Sequence, residues 1–195
     1  MKKLLPWIVI LGVLAIIALW AVNVYNGLVE NEENVESAWS QVDNQYQRRA
    51  DLIPNLVATV KGYAAHEEET LVGVMEARAN ANRFNIDPAT ITPEQLAEYQ
   101  AAQGELSRAL GRLMLVSERY PDLKADENFR QLQTQLETTE NRIAVARQQF
   151  NETANEYNKQ VRRFPSNIIA AMFGFDKKAY FEAEREAQKA PKVEF

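Results

Sequence analysis

The stretch WSQVDNQYQRRADLIPNLVATVKGYAAHE, Trp39 to Glu67, decides the fold. Its apolar residues have the spacing of a long amphipathic helix, yet two arginines sit beside the stripe and Pro54 falls in the helix interior. At about 100° per residue, Val35, Trp39, Val42, Tyr46, Ile53, Leu56, Val57, Val60, Ala64, Leu71, Val74 and Met75 share one broad face. The phase does not slip at Pro54, and no Gly, Asn-Gly or Ser cluster marks a turn there. The pattern predicts one continuous helix, kinked near Ala50 to Pro54 by the missing backbone donor. The competing reading makes Asp51 an N-cap and places Pro54 in the first turn of a new helix.

Upstream, MKK precedes LLPWIVILGVLAIIALWAV, Leu4 to Val22, a charge-free run of the roughly 20 residues that cross a bilayer as a helix. A secretory signal has a shorter apolar core and a small-residue cleavage site, and Ala18-Leu19-Trp20 does not supply one. An uncleaved anchor over residues 1–22 of a single-pass cell (inner) membrane protein is expected. Lys2 and Lys3 precede the span, whereas Glu30, Glu32, Glu33 and Glu36 follow it before the first basic residue, Arg48. This bias predicts a cytoplasmic N-terminus with the body on the far side of the membrane.

Downstream, Asn85, Asp87, Pro88 and Pro93 end the first helix, and Thr92-Pro93-Glu94-Gln95 is a capping box with proline at the first helical position. A second helix carries Leu96, Tyr99, Leu106, Leu110, Leu113, Val116 and Tyr120 on one side and ends at YPDLKAD. A third places Phe129, Leu132, Leu136, Ile143, Phe150, Ala154, Tyr157 and Val161 inward and ends at RRFPSN. The apolar turn IIAAMFGF follows, and a charged helical tail is expected from Asp176 to about Lys189, within residues 176–195. Each stripe alone leaves an apolar face wet, so the expected fold is all-α: the membrane helix followed by an elongated antiparallel bundle over residues 23–175. In that topology helix one leaves the membrane, helix two returns and helix three leaves again. The IIAAMFGF cluster is then distal, which favours a protein contact over insertion in the chain's own membrane.

Composition narrows the function. The absence of cysteine excludes disulfides, thiolate metal sites and cysteine nucleophiles, and one histidine excludes multi-histidine centres. Residues 1–22 hold two of the 22 basic residues and none of the 27 acidic ones, so the body is more acidic than the chain's net −5. Nucleic-acid binding is not expected of such a surface. HEEE at His66 to Glu69 lacks the paired Glu-x-x-His pattern of a di-metal bundle and reads as a solvated acidic face. Asn151-Glu152-Thr153 matches a glycosylation sequon but lies mid-helix, and glycines 62, 73, 104 and 111 are expected to allow close helix packing. No cofactor is expected.

Charged residues nonetheless fall on the inner faces: Arg49, Glu67 and Arg78 in the first helix, Glu140, Arg147, Asn151 and Asn158 in the third. Buried charges are costly unless paired, so these read as structural ion pairs fixing helix register or as intersubunit contacts. Arg78 and Glu140 are expected at similar heights. Arg49 is expected nearer the membrane, with no intrachain partner. No nucleophile with an adjacent base is apparent, and no enzymatic activity is expected.

The sequence resembles the LemA family. The resemblance rests on VYN (24–26), the Trp39–Glu67 stretch, YPDLKADENFRQLQTQLETTENRIAVARQQFNETANEYN (120–158) and RRFPSNIIAAMFGF (162–175). It implies a single-pass membrane protein with an antiparallel helical bundle and no established activity. The expected function is a bacterial membrane scaffold whose coiled-coil-like helices self-assemble into a homo-oligomer. Trp39, Val42 and Tyr46 are expected to lack intrachain cover and, with Ile168, Ile169, Met172, Phe173 and Phe175, to contact other subunits or partners. The alternative is an adaptor for a membrane protease or transporter, acting through residues 168–175.

Overall fold

The structure, a computed structural model, describes residues 5–182. Among them the order is α1 (Leu5–Tyr63), α2 (Glu68–Asn82), α3 (Pro93–Ser117), α4 (Pro121–Ala125), α5 (Glu127–Arg162) and α6 (Ser166–Phe173), with no strand. The 59 residues of α1 extend about 88 Å at roughly 1.5 Å per residue. Its first turns carry exposed apolar side chains from Trp7 to Leu19, and the helix is long and apolar enough to cross a membrane. Beyond Val24 one face of α1 is buried continuously through Leu28, Val35, Val42, Ile53, Leu56 and Val60.

The helix runs unbroken through Pro54, as the phase of the stripe implies. It ends nine residues later, at Tyr63, before a turn over 64–67 that the sequence reading carried through as helix. Lys61 lies in the last turn of α1, and Glu68 and Glu69 lie in the first turn of α2, each facing the favourable end of a helix dipole. The reversal lets Leu71, Val74 and Ala81 of α2 pack in one cluster with Ile53, Leu56 and Val60 of α1. A straight helix would leave both sets wet.

This hairpin inverts every later element. α2 runs back along α1, with Arg78 beside Ala50. The 83–92 linker and the Thr92 capping box then start α3, which rises parallel to α1 from Tyr99 beside Trp39 and Tyr46, and just past its end Tyr120 lies beside Glu67. The short α4 turns the chain, and Asp126 caps α5 through the Phe129 amide at 2.8 Å. α5 descends along α1: Glu140 meets Arg49, Phe150 meets Trp39, and Gln160 meets Asn31 and crowds Gly27. The expected distal position of 168–175 is therefore overturned. α6 packs beside Tyr25, which lies 4.9 Å from Phe173 and 5.6 Å from Phe175, ring centroid to centroid.

After Gly174, whose φ of 77° ends α6 in the left-handed region, the chain does not resume a helix. Residues 175–182 form a non-helical strap along α1 and α5, correcting the expected helical tail over that part. The tail beyond residue 182 lies outside the described residues. Phe175, Lys178 and Phe181 of the strap meet Tyr25, Glu32 and Trp39 of α1. Three strap residues thus match seven helical ones, about 10 Å for an extended chain against about 10.5 Å of helix rise. The strap and the linker residues Phe84, Ile86 and Ile91 complete the membrane-proximal core.

The interior glycines do not mediate close packing. A Cβ on Gly62, Gly73 or Gly111 would meet nothing within 4 Å, and one on Gly104 would make an ordinary contact. The tight position is Gly27, where a Cβ would lie 3.0 Å from the Gln160 amide nitrogen.

Candidate functional site

Three features of the body bear on function: a distal polar node, the seat of the strap and an apolar face beside the membrane span.

The distal node begins with Pro54. Proline has no amide hydrogen, so the Ala50 carbonyl four residues earlier loses its helical partner. Arg78 of α2 supplies one, its Nε donating to that carbonyl at 2.7 Å. The expected Arg78–Glu140 pair does not form. Glu140 instead accepts from Arg49 Nη1 at 2.7 Å, and the same nitrogen donates to Ser107 Oγ at 2.7 Å. Arg49 Nη2 donates to the Gln103 side chain, and the guanidinium lies over Tyr46, 5.2 Å from the ring centroid. Arg49 is 1% exposed, so the expectation that it lacks an intrachain partner is reversed: it joins α1, α3 and α5. A guanidinium that deep is tolerable only because several acceptors replace its water. At the distal tip Glu67 accepts from Arg119 at 2.9 Å and from the Tyr120 hydroxyl at 3.2 Å, tying the α1–α2 turn to the end of α3.

The strap is seated mainly through its backbone. Asn158 donates to the Lys178 carbonyl and accepts from the Lys178 amide, both at 2.8 Å. Asn151 makes the same paired contact with Phe181, both at 2.9 Å. Gln100 of α3 repeats it with Glu182, at 2.7 and 3.1 Å. Carboxamides suit this task because each presents a donor and an acceptor side by side, as a neighbouring strand does. Arg147 completes the seat, donating to the Glu182 carbonyl at 3.1 Å and lying over Phe181, 4.9 Å from the ring centroid. Lys178 points inward, with Nζ 2.6 Å from Glu32 and 5.5 Å from the Tyr157 ring centroid. Burial, reinforced by Glu32 and Asp176, raises the Tyr157 pKa.

Phe181 stacks on Trp39 at 5.8 Å, and Phe150 and Tyr99 close the same cage. Trp39, Val42 and Tyr46 are accordingly 5%, 0% and 5% exposed, which corrects the expectation that they lack intrachain cover. Burial also raises the Tyr99 pKa, with Tyr46 and Asp43 adding to the effect. The sequence reading picked out Arg147, Asn151 and Asn158 as inward polar residues but not what they hold. It missed Lys178, Gln100, Gln103 and Ser107 altogether. The one available signal was the seven-residue spacing of Asn151 and Asn158 on an apolar face.

Of the expected contact residues in 168–175, Ile169 is buried and Phe175 half-buried, while Ile168, Met172 and Phe173 are exposed. These three therefore form the apolar surface left open beside the end of the span.

An anchored helix carrying a helical body defines a membrane-associated, all-helical protein. The chain belongs to the LemA family, which matches residues 38–195. It is similar to magnetosome protein MamQ 2 of Paramagnetospirillum magneticum, 28% identical over 203 residues, covering 94% of this chain and 74% of that protein. The magnetosome protein MamQ of Magnetospirillum gryphiswaldense is also 28% identical, over 184 residues that cover 86% and 67% of the two chains. Protein LemA of Metamycoplasma hominis is 24% identical over 158 residues, covering 81% and 68%.

Proposed function

We propose that the protein is a non-enzymatic, membrane-anchored helical scaffold that associates side by side with copies of itself. The inward charged and amide groups support the scaffold reading, because Arg49, Arg78, Glu67, Arg147, Asn151 and Asn158 each fasten one element to another.

The observation that carries self-association is the long groove between α1 and α5. It has a volume of about 810 Å³ and is lined by Asn31, Ser37, Gln41, Gln45, Asn141 and Gln149, with Val145 exposed in its wall. The Gln45 side-chain oxygen is buried there with no hydrogen-bond partner from its own chain. On an acidic protein, copies standing upright in one bilayer repel each other over most of their surface. The groove carries only one arginine and one glutamate, so that repulsion is weakest along it. Detergent-extracted protein should scatter light as a species well above monomer mass, and Val145→Glu with Gln41→Glu should return it to monomer. A monomeric wild-type protein would refute self-association.

Lys2 and Lys3 support a cytoplasmic N-terminus with the body on the far side of the membrane. A membrane-impermeant thiol reagent applied to intact cells carrying Leu115→Cys reads that orientation; protection of the distal site would reverse it. An adaptor working through 168–175 would have to meet its membrane-protein partner at the bilayer surface.

A further inference from the structure

The apolar residues on and around α6 have no cover within the chain, although the helix itself is well seated. Ile169 and Ala170 pack into the core cluster that holds Val24 and Leu28, and Trp20 and Ala21 at the end of the span pack against that cluster. The outward side carries Ile168 and Met172, one helical turn apart, 50% and 71% exposed. Phe164, in the turn entering α6, is 77% exposed, and Phe173 is 59% exposed even with its edge on Tyr25. Arg162 and Arg163 precede this surface and Lys177 follows it, all exposed to solvent.

Position identifies the occupant. Tyr25 lies three residues past Val22, about 4.5 Å of helix rise beyond the apolar run. A helix packed against Tyr25 is therefore at headgroup depth when the span crosses the bilayer. Aromatic and aliphatic side chains with flanking arginines and a lysine suit that zone, where apolar groups reach acyl chains and cations meet phosphates.

We propose that Phe164, Ile168 and Met172 lie in the lipid interface as a second membrane contact, with Arg162 and Arg163 at the headgroup phosphates. α1 then enters the bilayer braced by α6, and α5, which leads into α6, fixes the angle at which the body stands. The nearby Glu30 and Glu33, both exposed, disfavour contact with anionic headgroups, so the apolar residues provide the attraction and the arginines offset the acids.

The chain has no cysteine, so each introduced one is a unique label site. Full-length protein carrying Met172→Cys, Leu11→Cys or Leu115→Cys is labelled with an environment-sensitive fluorophore and reconstituted in phosphatidylcholine–phosphatidylglycerol vesicles. Leu11, in the span, reports correct insertion, and Leu115, 69% exposed near the distal end of α3, reports water. A lipid-borne quencher should quench Met172 several-fold more than Leu115, and aqueous iodide should quench it several-fold less. Iodide quenching at Met172 equal to that at Leu115 would overturn the proposal. Protection of Met172 from both quenchers would also overturn it, since that result means cover by protein. A second label at Ile168→Cys guards against a local disturbance at residue 172 and should give the same ordering.

Discussion

At the scale of single residues, Pro54 and Arg78 are one device. The proline removes the amide that would serve the Ala50 carbonyl, Ala50 is itself 1% exposed, and an arginine from the next helix takes the vacant place. A buried carbonyl stripped of its partner costs about 1–3 kcal/mol. Arg78→Ala should therefore destabilise the wild-type bundle by that order but much less in a Pro54→Ala background, where the new amide serves Ala50. Chemical denaturation of the four proteins in detergent gives the coupling; additive effects would show that Arg78 acts by packing alone. The buried tyrosines add a pH dependence. Both Tyr99 and Tyr157 are held above the ordinary value of 10.0, chiefly by burial. A raised folded-state pKa means the folded form holds its proton more tightly. The contribution is complete below the ordinary value and is lost as pH rises through the folded value. Thermal stability should thus be insensitive to tyrosine ionisation at neutral pH and fall above about pH 10. Tyr99→Phe should make that fall shallower, read as the alkaline slope of the melting temperature.

At the scale of elements, the strap is the part most easily misjudged. It has no helical periodicity, and its contacts with α1 and α5 are between residues far apart in sequence. Two asparagines seven residues apart on α5 select an extended chain because three extended residues cover nearly the same length. Asn158 is the deeper of the two and also accepts no substitute easily, since its amide serves both backbone polar groups of Lys178 and donates to the Tyr180 hydroxyl. Asn158→Leu should leave helicity by circular dichroism nearly unchanged while raising amide hydrogen exchange across residues 176–182. Unchanged exchange there would mean that Phe181 on Trp39 and Lys178 on Glu32 hold the strap without the amide pair.

At the scale of the whole molecule, one turn decides which end of the bundle faces the membrane. The interruption over 64–67 is four residues long, close to one helical turn, so residues on either side keep their angular phase. A helical wheel cannot register it. Missing one reversal inverts the direction of every later helix, and so the 168–175 segment was expected at the distal tip when it lies beside the span. The same error separated Arg49 from Glu140, which a helix count with correct parity brings to one height. Lys61 before the turn and Glu68 and Glu69 after it were the local signs of two helix ends, but single charges are common along exposed helix faces.

The sequence by itself determined the all-helical class, the apolar span, the continuity of α1 through Pro54, the capped start of α3 and most of the residues that line the core. These depend on local chemistry and on periodicity, both of which are present in a single stretch of chain. Only the tertiary structure decided where the helices reverse, which acid answers Arg49, what covers Trp39, and that α6 returns to the membrane end. Those outcomes rest on contacts between residues far apart in the sequence, such as Arg78 with Ala50 at |i−j| of 28 and Lys178 with Glu32 at 146. Partners at such separations are chosen by which faces remain unburied once the helices meet, and that choice is made by the folded chain as a whole.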